Sequence, residues 1–168
     1  MQPMCCHTFV TVLMENSCWC KSEEQVMSIG QQLTKSPLAG CSIHLRGELG
    51  VGKTTLVRAA LQALGVQGSI HSPTYAIVEA YESVNPPQYH FDLYRLHSPW
   101  ELEEFGFEEY FTPTSCCWIE WPEKGASLLP APDMVIHIDQ VDDSRKLTFS
   151  AHSTKGEAIL KTMHLSNE

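Results

Sequence analysis

The chain has 168 residues and a formal net charge of −9, with 11 basic residues against 20 acidic ones. Hydrophobic residues make up 43% and charged residues 18%, which is typical of a globular protein with a buried core and excludes an intrinsically disordered chain. The acidic balance and the scattered basic residues argue against a protein that grips nucleic acid unaided. We therefore expect any contact with RNA to pass through a partner.

The sequence predicts a cytoplasmic protein. It has no run of about 18 apolar residues that could span a membrane, and its first ten residues lack the features of a signal peptide. Its seven cysteines are then expected to be thiols. A metal site could be imagined from Cys5, Cys6, His7, Cys18 and Cys20, but adjacent cysteines and a one-residue gap are poor zinc spacing. We expect plain thiols on a strand and a loop.

Helix and strand patterns alternate in the first half of the chain. A β-prone run covers residues 9–14, and a helix over residues 23–33 follows, with Ser22 as its N-cap. Residues 41–47 predict a buried strand, and residues 53–65 predict a second amphipathic helix.

Strand patterns dominate the second half. An antiparallel pair and three further strands are predicted over residues 75–83, 88–96, 115–122, 133–141 and 146–153. A short acidic helix starts at Ser98 and Pro99, and a last helix covers residues 156–164. These elements predict one α/β domain over residues 1–168, with a mixed, mostly parallel sheet and antiparallel additions.

The segment GELGVGKTT, residues 47–55, matches the pattern G-x-x-x-x-G-K-[ST] between a predicted strand and a predicted helix. In such a loop, backbone N–H groups and the positive end of the following helix bind phosphates. Lys53 is expected to reach the β- and γ-phosphates, and the Thr54 hydroxyl to ligate Mg²⁺. The predicted nucleotide-binding residues are Glu48, Leu49, Gly50, Val51, Gly52, Lys53, Thr54 and Thr55. The pattern predicts a three-layer fold like that of P-loop NTPases.

Catalysis beside such a loop needs an acid near the metal, at the end of a strand. The segment CCWIE places Glu120 after an apolar run, and HFD places Asp92 after a strand with polar neighbours. Both are candidate catalytic residues, and the two roles do not exclude each other. The segment HSPTY follows the second helix, where a γ-phosphate sensor can lie, so Thr74 is a candidate sensor. The alternative is a proline turn capped by hydroxyl groups.

The order of five segments closely resembles the bacterial TsaE (YjeE) family, over nearly the whole chain after its first 20 residues. These segments are GELGVGKTT, SPTY, YHFDLYRL, ELEEFGFEEYF and IEWPEKG. The resemblance implies a small ATPase of tRNA N6-threonylcarbamoyladenosine synthesis, with Mg²⁺ held by Thr54 and Glu120. Asp92 matches the family's second functional acid. The resemblance also implies a complex with TsaD and TsaB, which modify the tRNA while the ATP cycle supports their turnover.

Two other classes stay open on the residues alone. A P-loop kinase would transfer phosphate to a small molecule, but the chain has only four arginines and no arginine-rich lid to clamp the phosphate. A pure binding module would use ATP only to fix a conformation. An N-K-x-D segment is absent from the sequence, which disfavours a GTPase. Because no arginine finger is evident, we expect weak hydrolysis by the isolated chain and faster hydrolysis in the complex.

Overall fold

A computed structural model describes residues 11–73 and 75–165, and within them the chain forms a mixed α/β sheet of seven strands. In chain order the strands and α-helices are β1 (Met14–Cys20), α1 (Glu23–Leu33), β2 (Cys41–Arg46), α2 (Lys53–Ala63), β3 (Val78–Tyr81), β4 (Gln88–Asp92), α3 (Trp100–Phe105), β5 (Cys116–Glu120), β6 (Met134–Val141), β7 (Ser144–Ala151) and α4 (Thr154–Thr162). Most predicted elements are found within a few residues of their predicted bounds.

The sheet has the strand order β1-β7-β6-β2-β5-β4-β3. Strands β6, β2, β5 and β4 run parallel at its centre. At one side β3 pairs antiparallel with β4, and at the other β7 pairs antiparallel with both β6 and β1. Of the six strand pairs among the described residues, three are parallel, so parallel pairing accounts for half of the sheet and not for most of it. Two of the antiparallel pairs follow from local connections, because the segments that join β3 to β4 and β6 to β7 are too short for a parallel crossover. The third pair joins β1 to the distant strand β7.

One face of the sheet is covered by helices, and the other is covered over β4 and β5. Helices α1, α2 and α4 bury their apolar stripes against one face, where Val26, Leu56 and Ile159 join the larger core cluster. On the other face, a smaller cluster packs α3 and the following 3₁₀ turn, through Leu102 and Phe107, against β4 and β5. Strands β2 and β5 are thus buried on both faces, as central parallel strands require, whereas β6 buries one face and exposes His137 and Asp139 on the other.

The first strand lies later than predicted. Residues 9 and 10 of the predicted run 9–14 fall outside the described residues, and the strand itself begins at Met14 and ends at Cys20. The apolar side chains of Val12 and Leu13 are about half exposed, whereas Cys18 and Cys20 are buried. The strand is fixed by its antiparallel pairing with β7, which the local β-propensity of the sequence does not report.

The helix ends follow from side-chain caps. Ser22 accepts a hydrogen bond from the Gln25 N–H at the start of α1, as predicted. The last helix begins two residues earlier than expected because Ser153 caps it, accepting from the Gly156 N–H. Across residues 11–73 and 75–165, none of the helices has the length and apolar character needed to cross a membrane.

Candidate functional site

The candidate site lies where three parallel strands end at one edge of the sheet. Strand β2 runs directly into the glycine-rich loop, which we define as residues 47–52 and which leads into α2. In the register of the sheet, Leu45 of β2 lies opposite Glu120 of β5, and Glu120 lies opposite Asp92 of β4. Both candidate acids therefore sit beside the loop, because the carboxyl ends of parallel strands meet at the same edge.

The glycine-rich loop depends on residues without side chains. Gly47, Gly50 and Gly52 have φ angles of 139°, 78° and 118°, in a region that other residues rarely adopt. A Cβ atom added at Gly50 would meet nothing within 4 Å, so the backbone there borders open space. Such a loop at a helix N-terminus is suited to bind anions through backbone N–H groups.

Lys53 begins α2 and is 4% exposed. Its Nζ atom donates to the carbonyl oxygens of Gly47 and Glu48, at 2.6 and 2.9 Å, and lies 4.3 Å from the centre of the Trp121 ring. Burial lowers the pKa of the Lys53 ammonium, and the carboxylates around it, foremost Glu120, oppose that shift. The Lys53 ammonium is thus a partly desolvated cation beside the carbonyl groups at the start of the loop.

Thr54 and Glu120 are joined directly. The Thr54 hydroxyl donates to Glu120 Oε1 at 2.8 Å, and the Glu120 side chain is almost completely buried. The same Oε1 atom lies 2.8 Å from His90 Nε2. Hydroxyl and carboxylate oxygens are the ligands that hard divalent cations prefer, so this pair has the donor chemistry of a Mg²⁺ site.

Asp92 is held at the open side of the same cleft. Its Oδ2 atom accepts a short hydrogen bond from the Ser72 hydroxyl, and its Oδ1 atom accepts from the Tyr94 N–H at 3.0 Å. Ser72, two residues before Thr74, is therefore linked to a candidate acid. Thr74, the predicted sensor, lies outside the described residues.

One cleft of about 250 Å³ brings most of the predicted residues together. The predicted residues that line it are Leu49, Gly50, Gly52, Lys53, Thr54, Thr55, Asp92 and Glu120. Two predicted residues contribute otherwise: Val51 is buried in the core, and Glu48 supplies its carbonyl to Lys53. Among the described residues, the sequence-based set is thus largely one spatial cluster, and its two exceptions take part through the backbone or through packing.

Three residues of the site were not assigned a role from the residue pattern. His90 contacts Glu120; its position two residues before Asp92 on one strand, which places both on the same face, is a signal that the sequence contains. Arg145 Nε donates to the Val51 carbonyl at 2.8 Å. The two residues are 94 positions apart in the sequence, so no local sequence pattern predicts the contact. Trp121 adopts a left-handed backbone with φ of 56°, which is unusual for a large side chain.

The cysteine-rich N-terminus is only partly described. Cys5, Cys6 and His7 lie outside the described residues, and Cys18 and Cys20 are buried on β1. Among the residues that the structure describes, no group of three or more His, Cys, Asp or Glu side chains could hold a metal ion.

Comparisons with known proteins agree on one family. The family model described as "Threonylcarbamoyl adenosine biosynthesis protein TsaE" matches residues 20–147. The tRNA threonylcarbamoyladenosine biosynthesis protein TsaE of Haemophilus influenzae is 48% identical over 118 residues, covering 70% of this chain and 75% of that protein. The TsaE protein of Bacillus subtilis is 31% identical over 141 residues, covering 83% of this chain and 88% of that protein.

A solved structure supports the same assignment. The crystal structure of YdiB from Bacillus subtilis superposes with a TM-score of 0.76 and 26% sequence identity, over 90% of this chain and 94% of that chain. The match includes both sides of the sheet and not only its parallel centre, since little of either chain is left out. The protein therefore belongs to the TsaE family.

Proposed function

We propose that this protein binds ATP with Mg²⁺ in the cleft at the ends of β2, β4 and β5, and hydrolyses the nucleotide. In this proposal it is an accessory protein for the formation of N6-threonylcarbamoyladenosine on tRNA. The observation that carries the proposal is the hydrogen bond from the Thr54 hydroxyl to Glu120, at 2.8 Å, directly after the glycine-rich loop. The names of the TsaE relatives supply the pathway, and the residues supply the chemistry.

Phosphate binding is assigned to the loop and to the first turn of α2. The loop follows a central parallel strand and precedes a helix, which supports a fold of the P-loop NTPase type. Lys53 Nζ now bonds two loop carbonyls. Its positive charge, on a side chain that is 4% exposed, is suited to bind the β- and γ-phosphates.

Metal binding and catalysis are assigned to the two acids and the threonine. Thr54 and Glu120 would hold Mg²⁺, which, when bound, neutralises charge on the phosphates. Asp92 accepts hydrogen bonds from Ser72 and from a backbone N–H, so its carboxylate is oriented at the cleft. We assign Asp92 the role of orienting the attacking water or the waters around the metal.

The complex with TsaD and TsaB is part of the proposal. A net charge of −9 suits a protein that reaches tRNA through other subunits. Arg145, which lies beside the loop, directs its Nε atom to the Val51 carbonyl and so serves to hold the loop. This supports slow hydrolysis by the chain alone and faster hydrolysis when partner subunits complete the site.

Two substitutions test the proposal. Lys53→Ala is expected to weaken ATP binding about 10–100-fold, the loss of hydrogen bonds from a charged group. Glu120→Ala is expected to bind ATP but to abolish both hydrolysis and tRNA modification in a reconstituted reaction with TsaD and TsaB. Lys155→Ala is the matched control, because Lys155 lies on α4 and donates to the Gly40 carbonyl, away from the cleft.

Each outcome separates the proposal from its alternatives. Full tRNA modification by Glu120→Ala would indicate a binding module that needs no hydrolysis. Phosphate transfer to an added nucleoside or sugar, without any protein partner, would indicate a small-molecule kinase. Loss of ATP binding in Lys155→Ala equal to that in Lys53→Ala would remove the cleft as the binding site.

A further inference from the structure

We propose that His90 is a positioning residue that holds the Glu120 carboxylate in its working orientation. No role for His90 follows from the glycine-rich loop or from the two acids. The activity part of this inference rests on the proposed function, whereas the hydrogen bond itself can be tested without nucleotide.

The contact is buried and follows from the sheet register. His90 of β4 lies opposite Trp118 of β5, and Asp92 lies opposite Glu120, two residues further toward the carboxyl edge. The imidazole of His90 is fully buried, and Glu120 is 3% exposed. His90 Nε2 reaches Glu120 Oε1 at 2.8 Å from below the cleft, so the histidine supports the acid from the side of the core.

The contacts of Glu120 Oε1 indicate which nitrogen of His90 carries the proton. An ionised carboxylate can only accept hydrogen bonds, so the Thr54 hydroxyl and His90 Nε2 both donate to Oε1. Among the described residues, His90 Nδ1 has no hydrogen-bond partner. The contacts therefore select the tautomer with its proton on Nε2, which leaves only a hydrogen-bond acceptor unpaired at Nδ1.

A buried nitrogen without a hydrogen-bond partner lowers stability, and an apolar side chain at position 90 would not have this cost. What the histidine supplies in return is the hydrogen bond to Glu120. If Thr54 turns its hydroxyl toward a metal ion, His90 still anchors Oε1, so the carboxylate keeps its orientation. A side chain that orients a metal ligand in this way typically changes metal affinity or activity about 10–100-fold when it is removed.

Two variants and one control separate positioning from packing. His90→Phe removes the donor and keeps a ring of similar size, whereas His90→Gln retains an N–H group that can reach Oε1. The control is His44→Phe. His44 is also buried, with an Nε2 atom that has no partner in the described part of the chain, but it lies opposite Ile119, on the other face of the sheet from Glu120.

The first readout needs no nucleotide. Nitrogen-15 spectra of the free protein, with the His90 signals assigned by their loss in His90→Gln, are expected to show the Nε2-protonated tautomer. A ring protonated on Nδ1 alone would overturn the proposal, because that tautomer cannot donate to Glu120. This result stands whether or not the protein hydrolyses ATP.

The second readout is the Mg²⁺ dependence of ATP hydrolysis. His90→Phe is expected to lower kcat or the apparent Mg²⁺ affinity about 10–100-fold. Its affinity for ATP without metal should stay within about 2-fold of wild type, a split that a general packing defect would not produce. His90→Gln should recover most of the loss, and His44→Phe should behave like wild type. Wild-type kinetics in a folded His90→Phe, or an equal loss in His44→Phe, would refute a positioning role.

Discussion

The start of the glycine-rich loop should tolerate a methyl group far less than its middle does. A Cβ atom at Gly47 would lie 2.4 Å from the Ile138 carbonyl oxygen, which belongs to the neighbouring strand β6. It would also be placed on a backbone with φ of 139°. At Gly50, φ is 78° and the added atom meets nothing within 4 Å. The two positions therefore differ in packing and in backbone strain.

The magnitudes follow from these two differences. Gly50→Ala incurs only the strain of a left-handed alanine, about 1–2 kcal/mol. Gly47→Ala incurs backbone strain of about 1–3 kcal/mol, and an overlap with backbone that cannot move freely, of about 1–3 kcal/mol. The free energy of unfolding should therefore fall by about 2–6 kcal/mol in Gly47→Ala and by about 1–2 kcal/mol in Gly50→Ala.

Urea unfolding of both variants and of wild type, without nucleotide, measures the difference. The two variants change the same residue type in the same loop, so each serves as the control of the other. An equal loss of stability, or a larger loss in Gly50→Ala, would refute the packing of the loop against β6 that the structure describes.

Three further predictions concern the core and the metal ligand. Burial lowers the pKa of His44 to about 4, below the ordinary value of about 6.5. Because the unfolded chain then binds the proton first, the His44 contribution is complete above about pH 6.5 and is lost as the pH falls toward 4. The free energy of unfolding should therefore fall by about 2 kcal/mol between about pH 7.5 and pH 5 because of His44 alone. Urea unfolding of His44→Phe at the two pH values should lack that part of the decrease. Thr54→Val, which removes the hydroxyl bonded to the buried carboxylate, should lower ATP hydrolysis about 100-fold. Thr162→Val, whose hydroxyl bonds a carbonyl within α4, should not, and a similar loss in both would contradict the assignment. Gln88→Met leaves the buried indole N–H of Trp118 without its acceptor and should lower stability by about 1–3 kcal/mol in urea unfolding; unchanged stability would contradict it.

The sequence allows most of this architecture to be predicted where the determinants are local. The Ser22 cap, the apolar run before Glu120 and the glycine pattern of residues 47–52 are each contained in a few neighbouring residues. Parallel register then places Asp92 beside Glu120 without any long-range information beyond the strand order. The approach of these acids to the loop was therefore predictable from the ends of the strands.

The remaining features depend on contacts between distant segments. Strand β1 was predicted too early because its position is fixed by β7, which lies more than 120 residues away. The contact of Arg145 with the loop depends on the turn between β6 and β7 for the same reason. His90 could be placed on the correct face of its strand, but its pairing with Glu120 requires side-chain rotamers, which the sequence pattern does not encode.

The central claim is that ATP hydrolysis by this chain serves tRNA modification and depends on partner subunits. The most direct test measures ATP hydrolysis by the purified chain alone and with TsaD, TsaB and tRNA, together with threonylcarbamoyladenosine formation. Turnover well below the usual enzyme range of about 1–10³ per second is expected for the chain alone, with clear stimulation by the partners and modified tRNA only when the chain is present. Rapid hydrolysis by the isolated chain, or no stimulation by the partners, would contradict the account.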